Sequence, residues 1–135
     1  MRAVASDDLS AIRSVLEQQD DLQLGIVFGS LARGRVTGPE SDADVAVHAG
    51  SPLGLERREA LMRSLTTAVG RPIDLVDLSC AGVVVLRSVL LQGVTLVERD
   101  ASLRPELLSR MLTDTEDFLP LLQRLWRERR LRWTT

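Results

Sequence analysis

Apolar residues recur along the chain with two periods. Leu9, Ile12, Val15 and Leu16 fall at helical spacing up to Asp20 and Asp21, and Ser6 is the expected N-cap, with Asp7 and Asp8 near the positive end of the helix. A short apolar run over 24–28 ends at Gly29 and reads as a buried strand. Residues 33–41 hold two glycines and Pro39, the chemistry of an exposed loop. Residues 43–48 alternate and are rich in valine, which predicts a second strand. Ser51-Pro52 is the expected start of a helix carrying Leu55, Leu61, Met62 and Leu65 and stopping at Gly70. Residues 72–77 predict a third strand. Ser79 is the expected cap of a helix running through Leu86, Val89 and Leu90 to Gly93, and 94–98 a fourth strand.

Beyond the fourth strand the pattern is helical. Leu107, Leu108, Met111, Leu112, Phe118, Leu119, Leu122, Leu125 and Trp126 keep one face apolar, and Pro120 either starts a new helix or kinks this one. The alternation predicts an α/β fold, a mixed twisted sheet of about four strands flanked by helices. Residues 1–102 form the expected domain, and 103–135 a C-terminal helical arm packing on the domain, on a partner, or on both.

Composition narrows the classes of function. The 135 residues suit one domain, and no segment approaches the roughly 20 uninterrupted apolar residues of a membrane span. The N-terminus turns acidic before an apolar core can form, unlike a signal peptide, and the single cysteine, Cys80, excludes an internal disulfide or multi-cysteine zinc site. A cytoplasmic location is the default expectation. The net charge of −2 gives no general attraction to nucleic acid. All 17 basic residues are arginine. The absence of lysine removes the usual P-loop phosphate binder and any Schiff-base chemistry, and the absence of tyrosine precludes modification of its own tyrosines.

The chemistry is concentrated in Gly29-Ser30-Leu31-Ala32-Arg33-Gly34 and, past the loop, Ser41-Asp42-Ala43-Asp44. Asp42 and Asp44 stand two apart where a strand begins, so both carboxylates project from one face. Side by side they repel, a conflict that a divalent cation resolves, and hard oxygen ligands suit Mg²⁺ with triphosphate oxygens. Gly29 lets the backbone approach a phosphate, and N–H groups at a helix start favour anions. Ser30 adds a hydroxyl. Asp74 falls inside an apolar run where burial of a lone acid is costly. If its strand neighbours the second, Asp74 joins the metal pair as ligand and general base. Asp77 has the opposite parity and marks a strand end. Arg33 suits either a phosphate contact or a solvated loop, His48 a structural role, and Cys80 a place in the core. Taken alone, Ser-Asp-x-Asp also suits a turn or an N-cap.

Together these residues resemble the nucleotidyltransferase superfamily that includes DNA polymerase beta and kanamycin nucleotidyltransferase. Its signature of Gly-Ser, a gap, Asp-x-Asp and a third carboxylate on a later strand corresponds to Gly29-Ser30, Asp42-x-Asp44 and Asp74. Over about residues 5–100 the chain is most similar to the minimal nucleotidyltransferases that act as antitoxins to HEPN-domain ribonucleases. The resemblance implies transfer of AMP from ATP to a tyrosine of a HEPN toxin, with two Mg²⁺ ions held by Asp42, Asp44 and Asp74 and nucleotide contacts from Gly29, Ser30 and Arg33. Two alternatives stand beside it: a small-molecule nucleotidyltransferase, for which 135 residues leave little room to enclose an acceptor, and an antitoxin that acts by binding alone. Arg124, Arg127, Arg129, Arg130 and Arg132, with Trp126 and Trp133, suggest nucleic acid. A basic helix C-terminus accounts for them better as a solvated end or partner contact, so direct nucleic-acid binding is not expected. Self-association stays open.

Overall fold

A computed structural model describes residues 2–32 and 42–113, together with Gln123 and Arg127. Its elements are α1 (Arg2–Glu17), β1 (Leu24–Phe28), the single turn α2 (Gly29–Ala32), β2 (Ala43–His48), α3 (Leu55–Val69), β3 (Ile73–Asp77), α4 (Val83–Gln92), β4 (Val94–Glu98) and α5 (Leu103–Thr113). The four strands form one sheet in the order β3-β2-β1-β4. β1 runs antiparallel to both β2 and β4, while β2 and β3 are parallel, as the crossover through α3 requires. This is the mixed α/β sheet that the alternation predicts.

Strand parity divides the apolar residues between two faces. Val27, Val45, Val47 and Leu75 pack against Ile12 and Leu16 of α1 and Leu61 and Leu65 of α3. Leu24, Ile26 and Ala46 pack on the opposite face against Leu86 and Val89 of α4 and Leu103, Leu107 and Met111 of α5. The first part of the expected arm therefore belongs to the second core. Its stripe is narrower than the sequence suggests, because Leu108 and Leu112 are exposed. The expectations for Phe118, Leu119, Pro120, Leu122, Leu125, Trp126 and Trp133, and for Arg124, Arg129, Arg130 and Arg132, lie outside the described residues. Gln123 and Arg127 are helical and exposed.

Three helix starts differ from expectation. α1 begins at Arg2, so Ser6 lies inside it; Ala3 and Ala5 are good helix formers and nothing before Ser6 halts the helix. Asp8 does not serve as a solvated charge near the helix start, because it is buried and paired with Arg71. α3 begins at Leu55 behind Gly54, not at Ser51-Pro52, because the Leu53 amide donates to Asp77 Oδ2 at 2.8 Å and holds this segment out of the helix. α4 begins at Val83 behind Gly82, not at Ser79. The Ser79 amide and hydroxyl donate to Asp77 Oδ1 at 3.0 and 2.6 Å, closing a local Asx turn instead. Cys80 sits in that turn and is exposed, contrary to its expected place in the core. Arg110 of α5 secures the turn by donating to the carbonyls of Leu78, Ser79 and Ala81 at 2.8, 3.1 and 2.9 Å.

Arg99, just past β4, serves the end of α1 in a similar way. It donates to the carbonyl of Glu17 at the helix terminus, at 2.7 Å, and to those of Gln19 and Leu22 in the segment that follows, at 2.8 and 2.5 Å. No helix among the described residues is long and apolar enough to cross a membrane.

Candidate active site

The sheet brings the sequence-predicted residues to one end of three neighbouring strands. β1 finishes at Phe28, which pairs with Asp44 near the start of β2. Asp44 in turn pairs with Asp74 in the parallel ladder between β2 and β3. Residues in register on adjacent strands project from the same face, about 4.8 Å apart along the sheet. Asp44 and Asp74 thus form a cross-strand pair on the α4/α5 face. The Ala43 amide donates to the Pro72 carbonyl at 2.9 Å, so the ladder is already closed between the two aspartates of the Asp-x-Asp segment. Asp42 stands one residue outside β2 and is exposed.

Gly29 closes the other side. Its φ is +73°, a left-handed conformation that glycine adopts without steric penalty. A Cβ at this position would fall 2.2 Å from Asp44 Oδ2 and 3.1 Å from its Cγ. The missing side chain is what lets the β1–α2 turn lie against the Asp44 carboxylate. Ser30 lies in α2, directly after this turn. Arg33, Gly34 and Ser41 lie outside the described residues, and with them the expected phosphate contact of Arg33.

Asp74 is exposed, in contrast to its expected burial in an apolar run. β3 is an edge strand, and Asp74 stands on the face opposite Ile73 and Leu75, which the α1/α3 core buries. The buried acid of that strand is Asp77. Burial pushes its carboxyl upward, but donors from Ser79 and Leu53 and the nearby His48 outweigh that and hold it below the ordinary carboxylate range. Asp77 ends β3 at the opposite end of the strand from Asp74 and is structural. His48 is buried too, its Nδ1 accepting from the Gly50 amide at 2.9 Å, as its structural assignment anticipates.

Asp42, Asp44 and Asp74 offer hard anionic oxygens from one strand end, the donor chemistry that suits Mg²⁺. Among the described residues, however, no three His, Cys, Asp or Glu side chains stand close enough together to hold one ion. The backbone supplies the juxtaposition, and the carboxylates do not form a closed ligand set. The buried pair of Asp8 and Arg71, on the other face of the same strand ends, was not legible in the sequence as a pair, because α1 and the residue before Pro72 are far apart in the chain.

The family described as "Polymerase beta, Nucleotidyltransferase" matches residues 10–102. The chain belongs to that family of nucleotidyltransferases. The match spans all three strands of the site and the Gly29 turn, and the fold is the nucleotidyltransferase fold. No curated protein matches the sequence. Among solved structures, this nucleotidyltransferase is similar to a chain of a toxin–antitoxin complex with AMP-PNP, at 28% identity and a TM-score of 0.68, covering 93% of this chain and 95% of the other. It is similar to a chain of the MntA–HepT toxin–antitoxin complex at 26% identity and a TM-score of 0.62, covering 94% of each. A third is a chain of the tri-AMPylated Shewanella oneidensis HEPN toxin in complex with MNT antitoxin, at 25% identity and a TM-score of 0.64, covering 96% of each.

Proposed function

We propose that this nucleotidyltransferase is an antitoxin that transfers AMP from ATP to a tyrosine of a HEPN-type ribonuclease toxin and so silences it in the cytoplasm. The observation that carries the reading is the in-register pair Asp44–Asp74 beside the Gly29 turn. The solved complexes similar to this chain, one with AMP-PNP and one with a tri-AMPylated HEPN toxin, support both substrate and partner.

In the reaction the tyrosine oxygen attacks the α-phosphorus of ATP, the bond to the bridging oxygen breaks, and pyrophosphate leaves. Asp42, Asp44 and Asp74 would hold Mg²⁺, two ions in the usual arrangement, which neutralises charge on the triphosphate and acidifies the attacking hydroxyl. Asp74, exposed on the edge strand, is the carboxylate assigned to take the hydroxyl proton. The turn at Gly29 presents the backbone N–H groups of α2 to the phosphates. Ser30 and Arg33 are proposed as further phosphate contacts.

The test is titration of this protein against its toxin with and without ATP and Mg²⁺, followed by weighing the toxin. A mass gain in units of AMP, with silencing at substoichiometric dose, is expected. A toxin that is unmodified and silenced only at full equivalence, regardless of ATP, overturns the reading in favour of masking by binding.

A further inference from the structure

We infer that the buried ion pair between Asp8 and Arg71 positions the carboxylate-bearing ends of β2 and β3. The inference rests on the reading of those carboxylates as the nucleotide-transfer site. Arg71 Nη2 lies 2.9 Å from Asp8 Oδ2, and the two side chains are only 5% and 12% exposed. Burying such a pair carries a desolvation penalty that its attraction seldom exceeds by much, so net stability is a weak reason for it to be there. What the pair does accomplish is geometric. It ties α1 to the short link between α3 and β3.

That link is stiff and leads straight to the site. Gly70 ends α3 in the left-handed conformation, its amide donating to Thr66 at 2.8 Å. Arg71 follows, then Pro72, whose ring fixes φ. The Pro72 carbonyl accepts the Ala43 amide at 2.9 Å, and Ala43 sits between Asp42 and Asp44. Asp74 is two residues beyond Pro72. A shift of Arg71 therefore reaches all three carboxylates through one proline and one hydrogen bond. Ala43 and Ile73 point their side chains into the α1/α3 core, where Asp8 also lies, while Asp44 and Asp74 point to the other face. The pair thus acts from behind the sheet and touches no substrate; Asp8 and Arg71 are positioning residues.

Asp8→Asn keeps the shape and removes one charge. Two readouts follow it well below the unfolding temperature: amide hydrogen exchange at Ala43 relative to Ala46, and binding of Mn²⁺ in the presence of AMP-PNP. The expected result is about tenfold faster relative exchange at Ala43, with Mn²⁺ binding weakened about tenfold. Leu65→Ala, a core truncation in α3, serves as a destabilised control and should leave both readouts at wild-type values. Asp8→Glu, which retains the charge, should recover most of both. If Asp8→Asn does not fold, Arg71→Lys, which keeps the charge but loses the guanidinium fork, takes its place with the same expectation. An Ala43 amide as protected as in the wild type, or Mn²⁺ binding unchanged, overturns the inference. Wild-type protein that binds no Mn²⁺ with AMP-PNP overturns the nucleotide-transfer reading itself, a result separable from the exchange measurement.

Discussion

The carboxylate of Asp44 fills the space that a side chain at position 29 would need: a Cβ there lies 2.2 Å from Asp44 Oδ2. Gly29→Ala would therefore have to push Asp44 aside as well as hold a left-handed φ, itself a penalty of about 1–2 kcal/mol. We expect a loss of about 1–3 kcal/mol in urea denaturation, with nucleotide transfer falling at least as far as in an Asp44 variant. Wild-type transfer rates in Gly29→Ala would show that the contact has no bearing on the chemistry.

Replacing the carboxylates separates chemistry from folding. Asp42 and Asp74 are exposed, so Asp42→Asn and Asp74→Asn should leave stability within about 0.5 kcal/mol of wild type, or raise it by relieving repulsion. Transfer of AMP should fall by roughly a hundredfold or more in each, and in Asp44→Asn, if these groups hold the metal and take the proton. Full activity in the Asp42/Asp44 double variant would remove the site assignment. Radiolabel transfer from ATP, read beside thermal unfolding, measures both.

Asp77 should govern the acid limb of the stability profile. Its folded-state pKa is depressed, so folding favours the ionised form. That contribution is complete above the unfolded-chain value near pH 4 (about 3.9) and fades as the pH falls through the lower folded-state value. Asp77→Asn should flatten the dependence in that window. It should also destabilise the protein by about 1–3 kcal/mol at neutral pH, because the Leu53 and Ser79 donors lose a charged acceptor. Urea denaturation of both proteins from pH 7 down to about pH 2.5 tests the shape and the offset together.

Shortening the C-terminus should give two different outcomes. Ending the chain after Ser102 removes Leu103, Leu107 and Met111 from the second core and Arg110 from the turn after β3. At about 1.5–3 kcal/mol for each apolar side chain, this approaches the whole stability of an ordinary domain, and the fragment should not fold. Ending it after Phe118 keeps α5, and should weaken partner association or self-association more than nucleotide binding. Circular dichroism and sedimentation of the two truncations distinguish these results; a folded 1–102 fragment would show that α5 is dispensable.

The parts of the fold legible in the sequence were those set by local period and strand parity. The run over 24–28, the Gly29 turn and the two-residue spacing of Asp42 and Asp44 each determine direction without reference to anything distant. The parallel pairing of Asp44 with Asp74 could be stated only conditionally, since nothing local specifies which strands are neighbours. Three of the errors are alike: Ser51, Ser79 and Asp8 all have good local reasons to cap or charge a helix start, and each is overridden by a side chain outside the expected helix. Asp77 takes the amides of Leu53 and Ser79, and Arg71 takes Asp8. The apolar residues around Asp74 describe a strand but not which of its faces is left uncovered at the edge of the sheet, so its exposure is not legible in them.

Arg99 binds the end of α1 from just past the last strand, and β4 covers β1 along its otherwise open side. During synthesis, then, the first helix and first strand emerge long before the residues that close them. Until residue 99 is free, β1 offers an unpaired hydrogen-bonding edge of apolar composition, the kind of surface on which nascent chains associate. Closure must bring together segments separated by most of the chain, which slows it relative to the local helices.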